Sequence, residues 1–169
     1  MITELSIENF KCFQNKETFI FSKINLLTGI NGRGKSSLLQ SMLLLSQTFN
    51  AKKNPQHLLI NGEWVELGTF DDIKNSKIDS KAIIFQIKTD DETDNDISFE
   101  YIEFPENERF ANLSSLIIND EDKFIEISSD SIGNDQEKSE NSLKKTLSRI
   151  DDIKTFSIFN KFHFIFLRF

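Results

Sequence analysis

The sequence predicts an α/β fold, with one helix set against several antiparallel β-hairpins, and three observations carry that prediction. Gly29, Gly32 and Gly34 crowd three of the chain's six glycines into six positions. Beyond that cluster the apolar pattern switches from alternation to helical spacing. Past His57 the apolar runs are short, rich in Ile and Phe, and divided by turn residues, without a βαβ rhythm.

The elements follow in order. "TELSIENF" alternates polar and apolar residues, with Leu5 and Ile7 on one face, and reads as a half-buried strand. "ETFIFS" is a second extended run, expected to pair with the first in antiparallel fashion. "INLLTG" is apolar almost throughout and predicts a strand buried on both faces. From Lys35, residues Leu38, Leu39, Met42, Leu45 and Phe49 fall at helical spacing. "KSSLLQSMLLLSQTF" is therefore a helix, expected to stop before "NAKKNP" because of its polar residues and Pro55. In "HLLINGEWVEL", Asn61-Gly62 between apolar runs predicts a hairpin with a type I′ turn. "KAIIFQIKT" and "ISFEYIEF" are two further strands joined by the acidic loop "DDETDND", and "SLIINDEDKFIEI" is another hairpin. "SLKKTLSRIDDI" reads as a short helix.

This gives a glycine-loop region at 24–50, a β-rich lobe at 57–128, a polar and mobile stretch at 133–141 and an apolar strand at 156–169. The last holds six of seventeen phenylalanines. A strand that apolar needs neighbours on both sides. The chain is accordingly expected to be a piece of a larger protein, truncated or frame-disrupted; the alternative is an edge strand that closes the core.

The 169 residues suffice for a domain with a real core. The net charge of -7 argues against an autonomous nucleic-acid binder. Residues 1–60 nevertheless carry seven basic and three acidic side chains, so the basic part of the chain surrounds the glycine cluster, where a polyanion gains most. A single cysteine, Cys12, cannot form an intramolecular disulfide, and two histidines are too few for a zinc cluster. The N-terminus lacks a signal-peptide core, and no apolar run approaches the ~20 residues that span a bilayer. A cytoplasmic protein without membrane contact is expected.

Gly29, four residues, then Gly34-Lys35-Ser36 matches G-x-x-x-x-G-K-[ST], the phosphate-binding loop or Walker A motif. A loop that wraps a phosphate must turn successive N–H groups inward, a conformation glycine adopts without strain. A helix starting at Lys35 would aim its positive dipole end at the same point. The Lys35 ammonium would reach the β- and γ-phosphates, and the Ser36 hydroxyl would ligate Mg²⁺, a hard cation that prefers oxygen. Ser37 adds a hydroxyl near the α-phosphate, and Arg33 belongs to the same nucleotide-binding set. No catalytic residue is assigned.

"ITELSIENFKCF" followed by "INLLTGINGRGKSSLLQSMLLL" resembles the opening of ABC-type ATPase heads of the SMC, RecF and OLD group. In these, a strand reading roughly L-x-I-x-N-F-x-x-F precedes the P-loop by about twenty residues. "HLLINGEWVELGTFDDI" is similar to a bacterial branch that includes the ATPase of the Septu anti-phage systems. The resemblance implies the N-terminal lobe of a P-loop NTPase head, with ATP and Mg²⁺ sandwiched between two heads in a homodimer or head-to-head oligomer. It places Asn31, Gly32, Gly34, Lys35, Ser36 and Ser37 at the group's nucleotide-binding positions. Lys11 stands where relatives often carry a basic residue near the nucleotide. An effector nuclease is the implied partner, and any DNA contact would use parts outside this chain.

The departures from the group matter. A working head needs a Walker B strand, four apolar residues followed by Asp-Glu. "LIINDED" offers Asp120 and Glu121 but places Asn119 where the last apolar residue belongs, and it reads as a hairpin turn. "NLSSL" lacks the glycines of the signature segment. The complete protein is expected to be an ATPase, and this chain alone inactive. Two alternatives stand beside this: a nucleotide-binding or interaction fragment without catalysis, and a small GTPase suggested by "DSIG" and "NKFH", where His163 replaces the guanine-reading aspartate. Gln40, Gln47 and Gln86 are weighed as water-positioning residues and read as surface, Trp64 as hairpin packing in preference to an adenine platform, and Asp90 to Asp96 as a solvated loop, with metal binding the alternative.

Overall fold

Alternation in the first ten residues produces the strand it predicts, β1 (Ile2–Glu8), with β2 (Glu17–Ile20) antiparallel to it and Leu5 opposite Phe19. The structure, a computed structural model, describes residues 2–52, 56–90, 96–105, 107, 109–120 and 123–128. Helix α1 (Lys35–Lys52) follows the glycine cluster. Next come β3 (His57–Leu59), the one-turn helix α2 (Phe70–Ile73), β4 (Ala82–Thr89), β5 (Asp96–Glu103), β6 (Phe110–Asp120) and β7 (Lys123–Ser128).

The strands form one sheet in the order β2-β1-β4-β5-β6-β3, with β7 also paired to β6, and every pairing is antiparallel. Register aligns the buried side chains into rows across it. Ile7, Phe85, Phe99 and Leu116 make one row, and Leu5, Ile87, Ile97 and Ile118 the next. Because side chains alternate with period two, a strand that must bury residues of both parities needs an extra residue somewhere. In β6 that residue is Ser114, skipped in the pairing with β5 between Glu100 and Tyr101. Its hydroxyl donates to the Glu100 carbonyl at 3.2 Å. Ala111 and Leu113 are thus buried before the bulge, and Leu116 and Ile118 after it.

Helix α1 packs on this core through Leu38, Met42, Leu45 and Phe49, as its spacing predicts, with Leu44 also fully buried. Phe49 meets Phe99 with ring centroids 5.5 Å apart. The helix runs past Asn50 to Lys52, further than the polar residues suggested, because tertiary packing of its last turns outweighs their weak propensity.

Three expectations are corrected. "INLLTG" is not a strand in this structure: residues 21–30 have no regular structure, and Ile24, Leu26 and Ile30 are 86%, 74% and 74% exposed. Apolar composition suits a doubly covered strand but does not supply the covering strands. β1 already pairs with β2 and β4, and no described strand pairs with residues 24–28. Helix α1 therefore rests on the antiparallel sheet instead of beside an "INLLTG" strand.

The second concerns Asn61-Gly62. The hairpin exists, but its turn lies beyond these residues: Gly62 N–H donates to the Val65 carbonyl at 2.9 Å, and Asn61 bridges Glu66. Neither Asn61 nor Gly62 has positive φ. The Asn61 side chain instead accepts from the Leu67 and Gly68 N–H groups, both at 2.9 Å. Gly62 serves close approach, since a Cβ there would lie 2.8 Å from Gln47.

Gln47, read as surface, is buried on α1 and holds this hairpin. Its Nε2 donates to the Leu59 carbonyl at 2.6 Å and to that of Val65 at 3.3 Å, and its Oε1 accepts from Val65 N–H at 3.0 Å. Thr48 adds a hydroxyl that accepts from Leu59 N–H at 3.0 Å. The polar stretch 133–141, the helix at 142–153, the strand at 156–169 and the "DSIG" and "NKFH" segments lie outside the described residues. Among the described residues no helix is long and apolar enough to cross a membrane.

Replacing Gln47 by Leu leaves the hairpin's backbone groups without these partners, which costs about 1–3 kcal/mol per stranded group. Urea unfolding of Gln47→Leu should show a lower midpoint with an unchanged slope.

Candidate nucleotide-binding site

The glycine loop runs from Gly29 to Gly34, and its three glycines all have positive φ, at 134°, 82° and 94°. Gly34 carries two requirements at once. Its φ is left-handed, and a Cβ there would sit 2.8 Å from Cε1 and 2.9 Å from Cζ of the Phe13 ring, and 3.0 Å from the Cys12 sulfur. Any side chain would push the loop off the β1–β2 connection.

The first helical bond, from Leu38 N–H to the Gly34 carbonyl at 2.8 Å, makes Gly34 the residue before the first turn. The N–H groups of Lys35, Ser36 and Ser37 thus have no carbonyl within the helix to bond. They face the loop with the positive end of an 18-residue helix dipole behind them. The Lys35 ammonium crosses the loop and donates to the carbonyls of Gly29 at 2.5 Å and Ile30 at 2.9 Å. Asn31, Gly32, Arg33 and Ser36 are exposed, while Lys35 and Ser37 are half-buried. The arrangement can offer a phosphate chain consecutive backbone donors, one ammonium and two hydroxyls.

Lys11 reaches this neighbourhood through a tight turn. Phe10 and Phe13 exchange backbone bonds at 3.0 and 2.8 Å, with Lys11 and Cys12 between them and Lys11 at φ 49°. Cys12 Sγ lies 3.4 Å from the Ser37 hydroxyl, so the turn touches both the loop and α1.

Other sequence candidates fall elsewhere. Gln86 lies mid-strand in β4 opposite Ser6 and Ser98, and Gln40 on α1 is half-buried. Trp64 is 46% exposed at the tip of the hairpin clamped by Gln47. Asp120 pairs in register with Lys123, so "LIIND" is β6 leading back into β7. No group of three or more metal-ligating side chains occurs among the described residues.

A family model described as an AAA ATPase domain matches residues 1–166. The chain belongs to that family. A protein of Helicobacter pylori called ATP/GTP phosphatase is 44% identical over 45 residues, which is 27% of this chain and 12% of that protein. The chain thus matches about one eighth of the length of this curated relative.

Sequence reading missed what sets the loop in place in this AAA ATPase-family chain: Phe13 beneath Gly34, and the buried Asn9 and Asn75 that shape the turn. "ENFKCF" contains Asn9 and Phe13, but their partners lie 66 and 21 positions away, beyond the reach of any local pattern. Beside the turn, α2 is entered by a capping box in which Asp72 accepts from the Thr69 N–H at 2.8 Å and hydroxyl at 2.9 Å. These bonds, the N–H first, hold the Asp72 carboxyl below its ordinary 3.8, and Lys11 adds a smaller attraction.

Gly34→Ala should lower thermal stability, since a left-handed alanine alone costs about 1–2 kcal/mol. Adding Phe13→Leu, which removes the ring atoms nearest the new methyl, should recover part of the loss in the same melts. A depressed folded pKa means that the Asp72 contribution is present above the ordinary carboxylate value and is lost as pH falls through the folded one. Stability curves of the parent and Asp72→Ala should therefore differ at neutral pH and converge in acid.

Proposed function

We propose that the Gly29–Ser37 loop binds the phosphates of ATP and that this chain is the nucleotide-binding portion of an SMC/RecF/OLD-like ATPase. The observation that carries the reading is the loop itself: three left-handed glycines turn the backbone directly into the first turn of α1, with Lys35 Nζ lying across the opening. Successive N–H groups and a helix N-terminus favour a bound anion without reorganising the fold. To engage the β- and γ-phosphates, Lys35 exchanges its carbonyl partners for phosphate oxygens, which form stronger, charge-assisted bonds. Asn31, Gly32, Arg33 and Gly34 line the loop, Ser37 faces the α-phosphate, and Lys11 adds positive charge from the side.

The donor chemistry fits Mg²⁺. Ser36 presents an exposed hydroxyl at the second helical position, a hard oxygen of the kind this ion accepts beside phosphates and water. When bound, the ion would neutralise charge on the phosphates. The chain's own residues bind and orient; none of those described is assigned to activating water, because Asp120 belongs to a β-hairpin.

Turnover accordingly belongs to an assembly in which a second head, from a homodimer or head-to-head oligomer, completes the site. Participation in anti-phage defence, an effector nuclease partner, and DNA contact through other parts of the protein form the wider proposal, resting on the resemblance of "ITELSIENFKCF" and "HLLINGEWVELGTFDDI". Titrating a fluorescent ATP analogue with Mg²⁺ into the chain should give saturable binding that Lys35→Ala abolishes, while phosphate release stays at background. Equal affinity of the two versions overturns the assignment of the loop.

A further inference from the structure

The turn that carries Lys11 is held from a distance. Asn75, just past α2, is only 5% exposed, and its Nδ2 donates to the Lys11 carbonyl at 2.6 Å. Its backbone N–H reaches both the carbonyl and the Oδ1 of Asn9 at 3.2 Å, and its Oδ1 accepts from Lys77 N–H at 2.9 Å. Asn9 is 1% exposed and donates to the carbonyls of Ala82 at 2.6 Å and Ser80 at 3.1 Å. Lys11 N–H completes the lattice by donating to the Ile73 carbonyl at 2.7 Å.

These bonds converge on a conformation the chain would not choose unaided. Asn9 and Lys11 have φ of 56° and 49°, and they are the non-glycine residues with positive φ among those described. Asparagine tolerates that region through local hydrogen bonding, whereas lysine does not. Lys11 is therefore kept left-handed by its neighbours, above all by Asn75 on its carbonyl and Ile73 on its N–H. The next two residues, Cys12 and Phe13, are those that touch Ser37 and Gly34.

We infer that Asn75 is a positioning residue for nucleotide binding: it fixes the Lys11 turn against the phosphate loop, so that the Lys11 ammonium is presented to the phosphates, while Asn75 itself touches no ligand. The inference rests on the proposed role of the loop and of Lys11. A side chain 40 positions after Lys35 thereby governs affinity at the loop.

The test is a double-mutant cycle on the full chain, read by titration of the fluorescent ATP analogue with Mg²⁺. Asn75→Asp keeps the acceptor for Lys77 N–H but replaces the Nδ2 donor with an oxygen facing the Lys11 carbonyl. Asn75→Ala removes the donor without adding charge and is run beside it, so that misfolding of one variant, checked by circular dichroism, leaves the other. Loss of the bond should weaken binding about tenfold in the parent. On a Lys11→Ala background, itself weaker than the parent, neither change should weaken binding further. A structural role would lower affinity by the same factor on both backgrounds, and that result overturns the inference, as does unchanged affinity in the Asn75 variants or in Lys11→Ala. A parent that binds no better than Lys35→Ala instead removes the loop assignment, and the positioning role falls with it.

Discussion

The contact between the Phe13 ring and the bare α-carbon of Gly34 joins the two halves of this structure. On one side lies an antiparallel sheet whose strands are ordered by their own hydrophobic rows. On the other is a loop of largely exposed residues. A loop of that kind does not hold a shape by itself, because each ordered residue costs about 1–2 kcal/mol of backbone entropy. Seating its last glycine on an aromatic ring from the β1–β2 connection lets the rigid sheet set where α1 begins. The ring is anchored in turn by an edge contact to Phe19 at 5.4 Å, and Phe10 on the other side of the turn packs on Phe85.

The segment from Asn61 to Lys81 serves the same arrangement through polar groups. At its start, Gln47 and Thr48 of α1 hold the backbone of residues 59–65; at its end, Asn9 and Asn75 hold the Lys11 turn. Buried amides are tolerated because they are paired, and a paired amide fixes one geometry where an apolar side chain would accept several. The two ends of the glycine-loop unit, the helix C-terminal to it and the turn beside it, are thereby tied to one connecting segment. That gives a physical basis for the geometry of the glycine loop to depend on residues far from it in the sequence.

Against this order stands the stretch from Ile20 to Ile30, where five large apolar side chains are exposed. Burying such a side chain typically contributes about 1.5–3 kcal/mol, and here that contribution is not drawn on. The stretch begins at the end of the edge strand β2 and leads straight into the glycine loop. Its exposed apolar side chains give it the chemistry of a surface that another element would cover.

By itself the sequence determined the elements whose signal is local. Alternation specified β1, β4 and β5; helical spacing specified α1; and the glycine spacing with Lys35 and Ser36 marked the loop. Each depends on residues within a few positions of one another, where the pleat or the helical turn relates side-chain direction directly to sequence. Only the tertiary structure decided what depends on partners far along the chain. It left "INLLTG" uncovered because apolar composition states a need for neighbours without supplying them. It moved the turn past Asn61-Gly62 because Gln47, from another element, claims the backbone there. It brought Asn75 onto the Lys11 carbonyl across 64 positions. A hydrogen bond that long in sequence leaves no periodicity to read, and it forms only once the sheet has placed β1 beside β4.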